Sequence, residues 1–431
     1  MNVGHLIRAE RIRQEMKQVV LAKAICTPSY LSKIERNLIC PSEQVTTLLF
    51  NKLGIDIDML QKSDQETEIE FLKLLNENYK AVITTRDDNF TKQKLEYVIQ
   101  QSSLFENDSL YYTYLLIVLR FQLILGEDLE VRKKEIDDLD KASANFNTMQ
   151  IYLFKVNKAL YYYAIKNRKK AIEYFEDVIL AVNTITLEDW EKAELNYMLG
   201  LAYTADNRVF ISIEYIRKAL DFFKENFQMK RVLDCYVLIG VTHKKSEQFQ
   251  EALECYLKAQ QICIEFNLHG HKGIIYHNLG SLYSITEKTE EAIHYFNKSI
   301  EYKTDKQSKL ISVLNLVVEY SKMNNKSLVS VWCDKGTALL LQLNDENLTS
   351  YYHHFKFYKS IHSKQGLSET IAEQAIEHFK SLQDYQHVHK YYIALADWYF
   401  SNRKYKQSSI CYKEANRYGY TYRKIEKWED L

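Results

Sequence analysis

The 431-residue chain balances 57 basic against 57 acidic residues, and its 46% hydrophobic and 26% charged content is that of ordinary soluble domains, not of disordered or fibrous chains. Zero net charge excludes a protein that holds nucleic acid by bulk charge and leaves a local basic patch as the route. Few breakers (2 Pro, 11 Gly) point to long helices, and seven cysteines without a CxxC pair exclude a disulfide framework, so reduced thiols are expected.

The opening MNVGHLIRAERIRQEM lacks the apolar stretch of a signal peptide, and the apolar run over 115–125 is broken by Arg120 and Gln122 and too short to span a bilayer. A cytoplasmic protein is expected. Val3, Leu6, Ile7, Ile12 and Met16 predict a first helix with one apolar stripe. Gln18 opens a second, with Leu21, Ala22 and Ile25 turned inward. Thr27 is a good N-cap and Pro28 fits the first position of a third helix, which runs to about Arg36 with Leu31 and Ile34 facing the core. Asn37 suits its end. Ser42 caps a fourth helix that buries Val45, Leu48, Leu49 and Leu53.

Residues 1–41 hold seven Lys/Arg against three acids. Short helices with a basic, hydroxyl-bearing third member describe a helix-turn-helix domain, expected over residues 1–62. Such a recognition helix enters the major groove N-terminus first. Thr27, Pro28, Ser29 and Tyr30 are then placed at base edges, with Lys33, Arg36 and Asn37 further along. Gln18 is placed to bond a phosphate. SDQETE, 63–68, reads as a linker.

The segment 69–431 is repetitive. YMLGLAY, VLIGVTH and HNLGSLY align on Gly200, Gly240 and Gly280, a period of 40. Twelve residues after each glycine stand Ser212, Ala252 and Ala292, then Ile216, Tyr256 and Phe296, then Ala219, Ala259 and Ser299. This is the tetratricopeptide order of small, large and small residues, in which glycine and alanine mark where two helices touch. Weaker copies fall at Ala159, Tyr162, Ala171, Phe175 and Val178, and at Ala396, Tyr399, Ser408, Tyr412 and Ala415. The fold expected is all-α: the head, then about eight or nine repeats stacked into a right-handed superhelix with a concave groove. Most of the 33 tyrosines are then packing residues.

The first helix of each hairpin lines such a groove. Two positions before the small residue the repeats carry Asn157, Met198, Leu238, Asn278 and Asn315. Side-chain amides donate and accept together, which suits the backbone of an extended peptide; bonding between helices is the alternative. Tyr197, His277, Ser281, Lys244 and Lys245 fall on or near the same face. Arg120 reads equally as a groove cation for a carboxylate or as a satisfied structural charge. No HExxH, GxGxxG, Walker or GxSxG signature is present, and His353, His354, His362, His387 and His389 lack metal-ligand spacing. Neither an enzyme nor a cofactor is expected.

The stretch QVVLAKAICTPSYLSKIERN, preceded by LIRAERIRQEM, resembles the Cro/repressor-type helix-turn-helix, and AICTPSYLSKIE resembles its variant in Gram-positive peptide-sensing regulators of the Rgg, PlcR and NprR type. Cys26 stands where glycine is usual in the turn. Joined to the repeats, the chain as a whole is most similar to the NprR branch. The resemblance implies a structural ion pair between Arg11 and Glu35, homodimers on palindromic operator DNA, and a short imported signalling peptide that shifts conformation or oligomeric state. It also implies a second possibility, a repeat protein that binds and inhibits a response-regulator or phosphorelay protein, with the phosphatases of the related Rap class as a third.

Overall fold

A computed structural model describes residues 3–14, 16–35, 39–55, 65–102, 107–181, 185–343 and 345–423. The chain divides into two compact units, residues 1–238 and 239–431.

The first unit opens with α1 (Val3–Arg13), α2 (Gln18–Ala22), α3 (Pro28–Glu35) and α4 (Glu43–Leu53). Ile7, Leu21, Ala22, Leu31, Ile34, Leu49, Phe50 and Leu53 form their common core. The Ser42 hydroxyl accepts from the Val45 N–H, and Gly54, at φ 70°, closes α4 in the left-handed region. Leu48, expected inside, is 49% exposed, because its helical phase turns it outward and Phe50 takes the core position. Arg36 and Asn37 lie outside the described residues.

Three hairpins follow in the same unit: α5 (Gln65–Thr85) with α6 (Asp88–Gln101), α7 (Asp108–Ile124) with α8 (Leu129–Ala142), and α9 (Thr148–Ala164) with α10 (Arg168–Ala181). Next come α11 (Asp189–Ala205) with α12 (Val209–Glu225), and α13 (Met229–Lys245), which crosses the boundary between the units. The linker expected over 63–68 is already helical from Gln65. Asp87, Asn107 and Asp128 cap their helices with side-chain oxygens, and Asn147 and Gln150 form a capping box at α9. The second unit continues with α14 (Phe249–Glu265), α15 (Lys272–Ile285), α16 (Thr289–Tyr302), α17 (Lys306–Lys322) and α18 (Lys326–Leu343). It ends with α19 (Thr349–Ile361), α20 (Glu369–Ser381), α21 (Tyr385–Ser401) and α22 (Tyr405–Arg423). Among the described residues, α5 to α22 pair along the chain as nine hairpins.

The glycine spacing corresponds to direct contact. A methyl group on Gly200 would stand 2.3 Å from Ile216 Cγ1, on Gly240 2.5 Å from Tyr256 Cε1, and on Gly280 2.8 Å from Phe296 Cδ1. Each hairpin therefore closes by seating the large residue of its second helix on the bare backbone of its first. Ser212 adds a hydrogen bond to the Gly200 carbonyl at 2.8 Å. Ala252, Ala259, Ala292 and Ser299 are fully buried, whereas Tyr412 of the last copy is on the surface.

The central repeats keep time in another way. α11, α12, α13 and α14 are each 17 residues long. The residues that end successive helices in the left-handed region are Asn207, Phe227, Glu247, Asn267 and Glu287, with φ between 53° and 63°. The 40-residue period is thus two equal halves, each a helix and a three-residue turn. These turns use residues with a Cβ in a conformation that favours glycine.

Candidate functional site

In the head, α3 presents Thr27, Pro28, Ser29 and Lys33 to solvent, while Tyr30 is half-buried against the core. The Thr27 hydroxyl accepts from the Tyr30 N–H at 3.2 Å, which makes it the cap. Arg11 holds Glu35 through Nε at 2.6 Å and Nη2 at 2.9 Å, and its Nη1 donates to the Met16 carbonyl at 2.8 Å. Gln18 also donates to Glu35, at 2.7 Å. The Gln18 side chain is therefore a third member of a structural cluster joining α1, α2 and α3, and not a free phosphate ligand. In the turn between α2 and α3, Ala24 takes the left-handed conformation at φ 66°, two residues before Cys26. Cys26 is thereby relieved of the conformation that asks for glycine.

Of the groove residues read from the repeats of the first unit, Arg120, Asn157 and Tyr197 are buried. Asn157 donates to the Leu116 carbonyl at 2.8 Å, a bond between α9 and α7. Arg120 sits with Arg86 and Arg231 around Glu194, whose carboxylate lies 2.7 Å from Arg86, 2.7 Å from Arg231 and 3.8 Å from Arg120. Burial raises the Glu194 pKa, but the Arg231, Arg86 and Arg120 guanidiniums outweigh it and hold the carboxyl at about 2. The Tyr197 ring receives the guanidiniums of Arg86 and Arg231 at 4.4 and 4.8 Å, where its negative face offsets part of the excess cation. These three residues hold helices together, and they do so with Arg120 Nε, Arg120 Nη1 and Asn157 Oδ1 buried without a hydrogen-bond partner among the described residues.

The first unit does contain a cavity, of about 620 Å³, lined by α5, α7, α9, α11 and the segment before α11. Lys80 bridges α5 to Glu188 at 2.8 Å, and Tyr79 and Trp190 meet edge to face at 5.7 Å. Arg120, Asn157 and Tyr197 do not line it; Glu68, Glu188 and Glu191 do. These residues are not among the groove positions legible in the sequence. The signal was the acidic spacing Glu188–Glu191, which forms the capping box of α11.

In the second unit, the Lys244 ammonium donates to the Ser281 hydroxyl at 2.9 Å. His277 shares a hydrogen bond of 3.0 Å with Ser312, to which Lys303 also donates at 2.9 Å. Burial lowers Lys244 and Lys303 to about 8, and burial with the two lysines lowers His277 to about 3. This half-buried face of α13, α15 and α17 carries Lys244, with Lys303 reaching it from the end of α16, and further along α17 the Glu319 carboxylate accepts from the Ser284 hydroxyl. Asn278 turns back to the Ile274 carbonyl of its own helix at 3.0 Å and is mostly buried, so it is a poor peptide ligand. Asn315 is half-buried on α17. The C-terminal histidines are not surface groups throughout: His354 is buried and bonds the Tyr391 hydroxyl, and its ring meets His387 at 4.6 Å. Among the described residues no cluster of His, Cys, Asp and Glu fits a metal ion. Nor is any helix long and apolar enough to cross a membrane.

A DNA-reading head in front of a tetratricopeptide array defines the class: a transcription regulator with a ligand-sensing repeat domain. Profile comparison matches a helix-turn-helix to residues 7–60 and a tetratricopeptide repeat to residues 232–305. The transcriptional activator NprA of Geobacillus stearothermophilus is 30% identical over 414 residues, which is 92% of this chain and 98% of NprA. The chain belongs to the family of peptide-sensing transcriptional regulators of the Rgg, PlcR and NprR type. Response regulator aspartate phosphatase I of Bacillus subtilis (strain 168) is 22% identical over 83% of the chain and 92% of its own length. Among solved structures, the apo quorum sensor NprR from B. thuringiensis matches with a TM-score of 0.66 at 18% identity, over 81% of this chain and 99% of that one. A Rap protein complexed with competence and sporulation factor gives 0.67 at 17%, over 83% and 99%. At these identities the likeness to the solved structures is one of fold.

Proposed function

We propose that the protein is a cytoplasmic quorum-sensing transcription regulator, with its DNA-binding head in residues 1–62 and its sensing and dimerisation domain in residues 69–431. Thr27, Pro28, Ser29 and Lys33 meet operator DNA from the exposed side of α3, with the half-buried Tyr30 beside them. A short imported peptide lies along the first helices of the repeats, touching His277, Ser281 and Asn315, and shifts the conformation or oligomeric state of a homodimer. The observation that carries the sensing role is Lys244. It is half-buried, its ammonium is held by a neutral hydroxyl, and no carboxylate stands within ion-pair distance among the described residues. A cation kept this way is ready for a peptide carboxylate.

The test is operator binding by fluorescence anisotropy, with and without peptides encoded beside the gene. A peptide that changes operator affinity, with a steep salt dependence of binding, supports the reading. Ser29→Ala and Lys33→Ala weaken operator binding and leave the fold intact, while Lys244→Met and Asn315→Ala weaken peptide binding and leave the DNA contacts intact. Operator affinity unmoved by every neighbouring peptide sinks the peptide-gated reading. The match to an aspartate phosphatase supports a second reading, in which the repeats bind a response-regulator protein; one stoichiometric response regulator captured by the full chain favours it.

A further inference from the structure

The leading end of α3 is apolar where a DNA reader usually carries amides or guanidiniums. A recognition helix meets base edges with its N-terminal residues. Here those are Thr27, Pro28 and Ser29, all exposed. The Thr27 hydroxyl is turned to its own helix, where it accepts from the Tyr30 N–H at 3.2 Å, and the Thr27 carbonyl accepts from the Leu31 N–H at 3.0 Å. With the hydroxyl serving as the cap, the methyl on the same carbon is what Thr27 offers to a surface ahead of it. Pro28 has no N–H and presents ring methylenes. The first turn of α3, Pro-Ser-Tyr-Leu, holds no Arg, Lys, Asn or Gln, the side chains that grip a purine through two bonds. Its polar side-chain groups are the hydroxyls of Ser29 and the half-buried Tyr30. Exposed Lys17, Lys23 and Lys33 supply cations for the phosphates. In the major groove the apolar feature of the four bases is the thymine 5-methyl group. An apolar contact set against adenine or cytosine leaves an amino group unpaired; against thymine it covers the methyl.

We propose that the Thr27 methyl and the Pro28 ring read thymine 5-methyl groups in the major groove of the operator. The assignment rests on the DNA-binding reading above and adds to it which feature of the bases the head of α3 selects. Ser29 stands next to this apolar pair, and its hydroxyl donates or accepts at the polar edge of the same or the neighbouring base pair. Lys33, more than a turn further along α3, lies outside the apolar pair.

The probe is a duplex that the full chain enriches from a random library, with and without the peptides encoded beside the gene, and a copy in which deoxyuridine replaces every thymidine. Deoxyuridine keeps the pairing and the O4 acceptor and lacks the methyl. Affinities are compared by fluorescence anisotropy at one salt concentration. The uridine duplex is expected to bind about fourfold more weakly for each methyl covered, and about fifteenfold over the two half-sites of a dimer, the worth of burying one methyl group at each. Thr27→Ser keeps the capping hydroxyl and removes the protein's own methyl. It is expected to leave the melting temperature in place, weaken binding of the thymidine duplex and shrink the preference over uridine. Pro28→Ala, the second variant, shrinks the preference by the same route. The salt dependence, which counts phosphate contacts, stays the same for both duplexes and both variants. Equal affinity for the two duplexes overturns the proposal while the DNA-binding reading stands on the enriched duplex. A preference that both variants keep in full also overturns it, by assigning the methyl readout to another part of the head. Enrichment of no sequence under either condition overturns the proposal and the DNA-binding reading together.

Discussion

Gly240→Ala tests the packing rule on which the repeats are built. The added methyl would stand 2.5 Å from Tyr256 Cε1, 2.7 Å from Cδ1 and 3.0 Å from Cζ. Tyr256 is fully buried, so its ring cannot swing into solvent. Overpacking of this kind costs about 1–3 kcal/mol. Alanine in place of glycine inside a helix returns about 1 kcal/mol. The net expectation is a loss of up to about 2 kcal/mol, small but opposite in sign to what helix propensity alone gives. The comparison is made by urea unfolding of Gly240→Ala, Tyr256→Leu and the double variant, with Gly270→Ala as control, since a methyl at 270 meets nothing within 4 Å. With the ring edge gone, Gly240→Ala becomes neutral or stabilising, a coupling of about 1–2 kcal/mol between the two sites. If Gly240→Ala stabilises the unaltered chain as Gly270→Ala does, or costs the same with and without the ring, the small-against-large account of the hairpin is wrong.

Arg11→Ala strands the buried Glu35 carboxylate with Gln18 as its remaining side-chain partner and costs the head about 3 kcal/mol; an unmoved first transition in thermal unfolding refutes this. Glu194→Gln removes the shared counter-ion of Arg86, Arg120 and Arg231, with an expected loss of about 3–5 kcal/mol; an unchanged urea midpoint would falsify the structural role given to that cluster. His354 lowers its pKa to about 3, first through burial and then through His387. The unfolded chain takes up this proton near pH 6.5 and the folded chain does not, so stability is full above pH 6.5 and falls on acidification. The loss for this one group at pH 5 is about 2 kcal/mol, and His354→Phe should flatten that part of the pH profile. An unfolding midpoint independent of pH between 7.5 and 5 contradicts the assignment.

What could be read from the sequence follows the range of the interactions. Caps, turn residues and the Gly200, Gly240 and Gly280 spacing are local rules, and they located the head and the central hairpins. Asn157 and Asn278 occupy equivalent repeat positions and looked alike in the sequence. One bonds a carbonyl 41 residues back and the other its own helix, a difference set by tertiary neighbours. Arg120 was legible as an anomaly, but its partner Glu194 lies in another hairpin. The cavity could not be read at all, because its walls come from four helices and its buried acid, Glu191, serves as an ordinary capping acid. The turns at Phe227 and Glu247 escaped notice for a simpler reason: the residue that usually marks a left-handed position is glycine, and these turns do without it.

Those turns carry a consequence for how the gene can change. Glu247 and Glu287 hold the same backbone conformation one full repeat apart, each after a helix and ahead of the next. Cutting at one and rejoining at the other deletes a whole hairpin and splices like to like, leaving no seam in the chain. Cutting at points that are not a whole repeat apart puts a helix out of phase with its neighbour. The length of this receptor is therefore quantised, and unequal recombination at such joints offers a lineage a ready way to lengthen or shorten its sensing surface while the DNA-reading end stays untouched.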